Sequence, residues 1–260
     1  MSQDAASTLA ALRRRLASIE GADLPRARRT DDGPLSGCAG VAGALTLAAL
    51  NEIAATRESE MAAATGFVLP LCAWATGAAG RRATVWIAED MALNENGAPY
   101  GPGLDAFGLI PEQLIRIAVS NAREVPWAME EALRSRGVGA VIGELRSGDI
   151  GLTASRRLSL AAGRDGATAF LLRASPSPEP LAAATRWVIG AAPSAHDDGQ
   201  NYGPGPPRFI VRLTRNRRGN CGSWLLEWNS DGQRFDITSA DRQPVAEAAS
   251  DRPPCAATGT

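Results

Sequence analysis

Between residues 45 and 173, five short apolar runs alternate with segments of helical spacing, and this alternation constrains the fold more than any other feature of the chain. The runs fall at 45–53, 83–88 (ATVWIA), 114–119 (LIRIAV), 138–145 (VGAVIGEL) and 167–172 (ATAFLL). Each is nearly continuous in apolar residues, as in strands buried on both faces, and helical crossovers between them predict a mostly parallel α/β sheet. Helices are expected over 59–76, with a kink at Pro70, and after Asn121, where Glu124 suggests a capping box, to about Gly137. A third runs to Gly166 with Thr153 as N-cap. Beyond SPSPEP, the runs TRWVIGAA, RFIVRLTRN, SWLLEWN and RFDIT follow closely with turn-type linkers, which predicts antiparallel strands added to that sheet.

The first run leads into a turn and a helical segment, LNEIAATRESEMAAATG, 50–66, the order of elements in a phosphate-binding unit. A P-loop there needs glycines, so that backbone N–H groups close on the phosphates, and a lysine to reach the terminal ones. This turn has Arg57, Glu58, Ser59 and Glu60 instead, with two carboxylates where phosphate charge would go. All 27 basic residues of the chain are arginine, so a P-loop lysine, a Schiff-base lysine or a serine-lysine dyad is impossible. No nucleotide or other cofactor is expected. Glu58, Ser59 and Glu60 read as first-turn residues of the helix, whose positive end acids complement.

Leu9, Leu12, Leu16 and Ile19 repeat at three- and four-residue steps and form one stripe of an N-terminal amphipathic helix, 1–20. The stretch 21–40, dense in glycine, proline and charge, reads as a linker; 41–238 forms the main domain, and the polar tail 239–260 is expected to be disordered. A net charge of −1 gives no long-range attraction to nucleic acid or an anionic membrane, so any DNA contact is expected to be weak or indirect. Cys38, Cys72, Cys221 and Cys255 lack C-x-x-C spacing and His196 is the single histidine, which argues against zinc sites and histidine triads. Ser155 stands beside Arg156 and Arg157, but no G-x-S-x-G and no convergent acid pair accompany it, so catalysis is not expected. There is no signal-peptide order at the N-terminus and no apolar run near the ~20 residues of a membrane span; a cytoplasmic protein with unpaired thiols is the expectation.

The order of elements resembles the RecA/ATPase core, and the stretches LNEIAA, AAATGF, PYGPGLDAFGL, LTASRRLSLAA, AATRWVIGAAPS, GPPRFIVRLTRNRRG and WLLEW resemble the ImuA family from about Leu45 to Trp228. That family comprises RecA-like accessory proteins encoded with a Y-family polymerase relative (ImuB) and an error-prone DNA polymerase III α subunit in bacterial SOS mutagenesis cassettes. The resemblance implies a non-catalytic protein of the DNA-damage response with RecA and the ImuB-type polymerase relative as partners. It places Glu89 near the RecA catalytic glutamate and Glu144 at the Walker B acid, both vestigial beside the altered turn. It also implies that Leu9, Leu12, Leu16 and Ile19 face another RecA-like chain. Arg215 and Arg217 in LTRNRRG match a Lys-x-Lys pair that in RecA reaches a neighbouring subunit's ATP. The stretches RSGDIG and RASPSPEPLAA, at the positions of RecA's DNA-holding loops, lack the aromatics and basic clusters of a single-strand groove. An alternative of the same ancestry is a SulA-like cell-division inhibitor lacking a P-loop, against which the longer chain argues.

Overall fold

The computed structural model describes residues 33–81, 83–90, 99–194 and 205–238. Leu9, Leu12, Leu16 and Ile19, the first part of the expected linker and the 239–260 tail lie outside these residues, as do His196 and Cys255.

The five apolar runs form β1 (Leu50–Ala55), β2 (Ala83–Glu89), β3 (Leu114–Val119), β4 (Val138–Leu145) and β5 (Thr168–Arg173). The later runs form β6 (Thr185–Ala192), β7 (Arg208–Asn216), β8 (Gly222–Asn229) and β9 (Arg234–Ile237). All nine lie in one sheet of order β3-β2-β4-β5-β1-β6-β7-β8-β9, parallel from β3 through β6 and antiparallel from β6 to β9. The fold is therefore an α/β RecA-like core with a C-terminal antiparallel extension. The central strands read as predicted because both their faces are covered: every residue of β1, β4 and β5 is buried.

Helix α1 (Met61–Ala78) lies on one face, and α3 (Glu124–Leu133) and α4 (Gly151–Asp165) on the other. The short α2 (Gly101–Ala106) places Leu104 against the α1 side. Helix α1 is apolar almost all round, the signature of a core helix. With the turn before it, it is also long and apolar enough to cross a membrane, contrary to the expectation from the sequence, but two-thirds of that window is buried against the sheet. It runs continuously through Pro70, whose ring is buried, because core packing on both sides of the proline holds the two halves together.

Several boundaries differ from expectation; α1 is shifted by two residues from 59–76, and α3 ends at Leu133 rather than near Gly137. The first strand starts at Leu50 rather than 45; the preceding residues turn instead, with Leu45 in the core. Helix α4 begins at Gly151, so Thr153 lies inside its first turn rather than capping it, and it ends on Gly166, whose φ of +77° makes the left-handed cap that glycine permits. Ahead of α3, Asn121 Oδ1 accepts from the Arg123 N–H, while Glu124 reaches back one residue further than a capping box would, to the Ser120 N–H.

Residues 33–40, assigned to the linker, are built into the domain. Leu35 and Cys38 are buried in the α1-side core with Val41 and Ala44, the Phe235 N–H donates to the Pro34 carbonyl at 2.7 Å, and Cys38 Sγ–H donates to the Phe235 carbonyl. The segment covers the end of the sheet beside β9, whose apolar face would otherwise meet water. Its glycine and proline serve tight turns here, which composition alone does not separate from a tether.

Candidate functional site

The carboxyl ends of parallel strands are where open α/β sheets bind ligands, and the turn 57–60, Glu89 and Glu144 all lie at that end. The turn is a single 3₁₀ turn, Glu58–Glu60, entered by Arg57 in an extended conformation. Its amides are used internally, Glu60 N–H donating to the Arg57 carbonyl at 2.9 Å and Met61 N–H to that of Glu58. Arg57 Nη2 pairs with Glu60 Oε1 at 3.1 Å. Glu60 Oε2 lies over β6, 3.6 Å from where a Cβ on Gly190 would stand. A phosphate group does not fit this turn: its cation is bound to its own carboxylate, the Glu60 amide is used internally, and the turn carries a second carboxylate, Glu58.

Glu144 is also occupied. It is 6% exposed on the α1 side of β4; Trp86 Nε1 donates to its Oε2 at 3.0 Å and Arg146 Nε to its Oε1 at 2.8 Å. Glu89 ends β2. Strand alternation sets it with Ile87 on the α3/α4 face, opposite Trp86 and Glu144, so the two vestigial acids do not share a site. One Glu89 carboxylate oxygen is buried with no hydrogen-bond partner. Above Glu144, a cleft of about 1050 Å³ opens between α1 and α2; Met61, Leu69, Leu104, Phe107 and Arg116 are among its described lining residues. Its wall is mostly apolar, and the acid at its base, Glu144, is already paired with Arg146.

On the α3/α4 face, the loops after β4 and β5 are tied down from inside the sheet. Glu52 of β1 is buried between Arg173 and Arg186; burial pushes its carboxyl above the ordinary carboxylate range, and the two guanidinium groups pull it back. Arg173 also holds Asp149 Oδ1 at 2.8 Å and the Gly148 carbonyl at 2.9 Å, and Ser177 Oγ donates to Asp149 Oδ2 at 2.7 Å. Arg186 donates to the Glu179 carbonyl. This network was not legible in the sequence, because Glu52, Arg173 and Arg186 are 134 residues apart at the extremes and sit in runs that otherwise read as apolar strands. The loops it fixes are those at the DNA-holding positions of RecA. Ser155, by contrast, is a structural residue: its Oγ accepts from the Ala182 N–H and donates to the Leu152 carbonyl.

Arg215 and Arg217 lie at the far end of the sheet. Strand β7 runs antiparallel to β6, so its last residues stand beside Thr185, where β6 begins, away from the 57–60 turn. Both are exposed; Arg215 Nη1 donates to the Leu181 carbonyl at 3.3 Å, and the Arg217 N–H to that of Ala184 at 3.0 Å. The structure thus keeps the hairpin arginines apart from the chain's own altered turn.

No protein-family model matches the chain. Among curated proteins, Protein ImuA of Caulobacter vibrioides, in two strains, is 33% identical over 202 residues, covering 73% of this chain and 79% of the relative. At that identity over that much of both sequences, on a RecA-like core, the chain belongs to the ImuA family.

Proposed function

We propose that the protein is a non-catalytic RecA-like accessory factor of SOS-induced translesion, mutagenic DNA repair. It binds RecA or its filament, the ImuB-type polymerase relative, or both, and reaches the error-prone DNA polymerase III α subunit through them. It acts in the cytoplasm without a cofactor. The observation that carries this reading is the turn 57–60: the scaffold of a nucleotide site is kept while its cation is bound to its own carboxylate and the acid near the Walker B position is bound to Trp86 and Arg146. A fold retained without its chemistry is a surface for partners.

Crosslinking of the purified full chain with RecA and with the polymerase relative tests the reading. Contacts to either partner, together with no calorimetric signal for Mg-ATP, support it; micromolar ATP affinity or turnover abolished by Glu144→Gln overturns the non-catalytic part. Replacing Leu12 and Leu16 with Asp is expected to abolish partner binding and leave the melting temperature nearly unchanged. A large drop in melting temperature would assign that stripe to the protein's own core instead.

A further inference from the structure

Alternation along β7 puts Phe209, Val211 and Leu213 into the α1-side core and turns Arg208, Ile210 and Arg212 to the opposite face. Arg215, three residues after Arg212, would by strict alternation point the other way. It does not, because the β6–β7 register shifts by one residue: Trp187 pairs with Leu213 but Arg186 with Arg215, leaving Thr214 as the extra residue of a bulge. Cross-strand partners point to the same side, so Arg215 shares the face of Arg186, and its bond to Leu181, a residue of the α3/α4-side core, agrees. Arg217, whose N–H donates to the Ala184 carbonyl, lies exposed just past the end of β7. The bulge therefore puts Arg212 and Arg215 on one face, about 7 Å apart along the strand, with Arg217 just past the strand end.

The row is available. Arg212 and Arg217 make no side-chain hydrogen bond or ion pair among the described residues, and Arg215 bonds only a carbonyl. Arg208, one step further along, is excluded because Glu227 Oε2 holds it at 2.6 Å. No described helix packs on this face of β7 and β8, where Ile210 is 46% exposed and Leu225 half-buried. Three exposed guanidinium groups with no carboxylate partner among the described residues, set along an open sheet face, match a linear polyanion. The apolar side chains between them offer bases a surface on which to lie.

We infer that the Arg212, Arg215 and Arg217 row on the open face of β7 binds the phosphate backbone of single-stranded nucleic acid, with no base sequence preference. The affinity is modest, because no aromatic side chain among the described residues shares the face for stacking. This inference rests on strand geometry and charge, not on the partner reading above.

The test is fluorescence anisotropy of a labelled oligothymidylate with the full chain over a range of salt concentrations. The expected result is salt-sensitive binding whose log–log slope falls by about 2 in an Arg212→Ala, Arg215→Ala, Arg217→Ala variant and by about 0.7 for Arg212→Ala alone, as single-strand phosphate contacts require. Lysine at all three positions should restore most of the slope, which a purely structural role would not. All three residues are exposed, and circular dichroism melts should confirm folding of each variant. An unchanged slope in the triple alanine variant, or no binding of oligothymidylate at low salt, overturns the inference. Equal binding of a duplex or of inorganic polyphosphate overturns the single-strand assignment.

Discussion

Trp86 of β2 donates its indole N–H to Glu144 of β4 across the strand pair, and this one bond makes the Glu144 carboxylate part of the core. Arg146 completes the set from the strand end. A metal-organising acid has to offer its oxygens to the ligand side; both oxygens here are already satisfied from within.

Trp86→Phe keeps most of the ring and removes the N–H, leaving Glu144 Oε2 buried with one donor fewer. The expected cost is about 1–3 kcal/mol in urea denaturation. Partner binding should not change, since the residue is 95% buried. A stability change within about 0.5 kcal/mol, the range of ordinary surface substitutions, would show that the bond contributes nothing.

Two glycines of β4 separate two kinds of close approach. At Gly139 the β2–β4 register shifts, and a Cβ would stand 2.5 Å from the Thr76 Cα of α1. At Gly143 a Cβ would meet the Met129 side chain at 2.1 Å. Backbone cannot step aside, whereas a methionine can change rotamer. Gly139→Ala should therefore destabilise more than Gly143→Ala, by roughly 1–3 kcal/mol against less than that. The reverse order of melting temperatures would mean that α1 yields more easily than Met129.

These two sites mark where the sequence was informative and where it was not. The bounds of β3, β4, β6 and β7 coincide with their apolar runs, because burial on one or both faces writes itself directly into residue type. The altered turn was legible for the same local reason: glycine and lysine are either present or absent. Bulges are different. The extra residues at Gly139 and Thr214 depend on how two strands align, so nothing local announced that Arg212 and Arg215 would share a face. Residues 33–40 misled because few apolar side chains among glycines look like a linker until the sheet end they cover is known.

Cys38 and Cys72 are buried, and burial pushes both thiols up, Cys38 to about 11 with Asp236 adding to the shift. Cys221 is exposed. In a Cys255→Ser variant, a thiol reagent at neutral pH should find one reactive group in the native protein, Cys221, and the two buried ones only after denaturation. The raised Cys38 value means that the folded state holds the proton more tightly than the unfolded state. Its contribution to stability is then complete below about pH 9 and lost as pH rises toward 11. The stability gap between wild type and Cys38→Ala should accordingly shrink over that window. A gap that widens with pH would reverse the sign and remove the thiol from the account.

The hairpin arginines lead to the most specific consequence of the proposed function. Arg215 and Arg217 sit at the opposite end of the sheet from the 57–60 turn, so one molecule can present them outward while its own turn has nothing to present in return. Guanidinium groups make bidentate bonds to phosphate and serve as trans-acting fingers in other NTPases. If a RecA subunit's ATP receives them, the protein joins one end of a RecA filament and leaves that end unable to accept another subunit, because the next interface would need a nucleotide that this turn does not hold. Arg215→Ala with Arg217→Ala should then weaken association with ATP-bound RecA filaments by about 2–5 kcal/mol, while binding to the polymerase relative persists. Arg212→Ala serves as the comparison that alters the same face but not the pair: it should weaken filament association less than the double variant does. Light scattering of RecA filaments should show a halt in growth at stoichiometry well below one protein per RecA subunit. Equal binding of wild type and double variant to the filaments, or inhibition only at one-to-one stoichiometry, would exclude capping through these arginines.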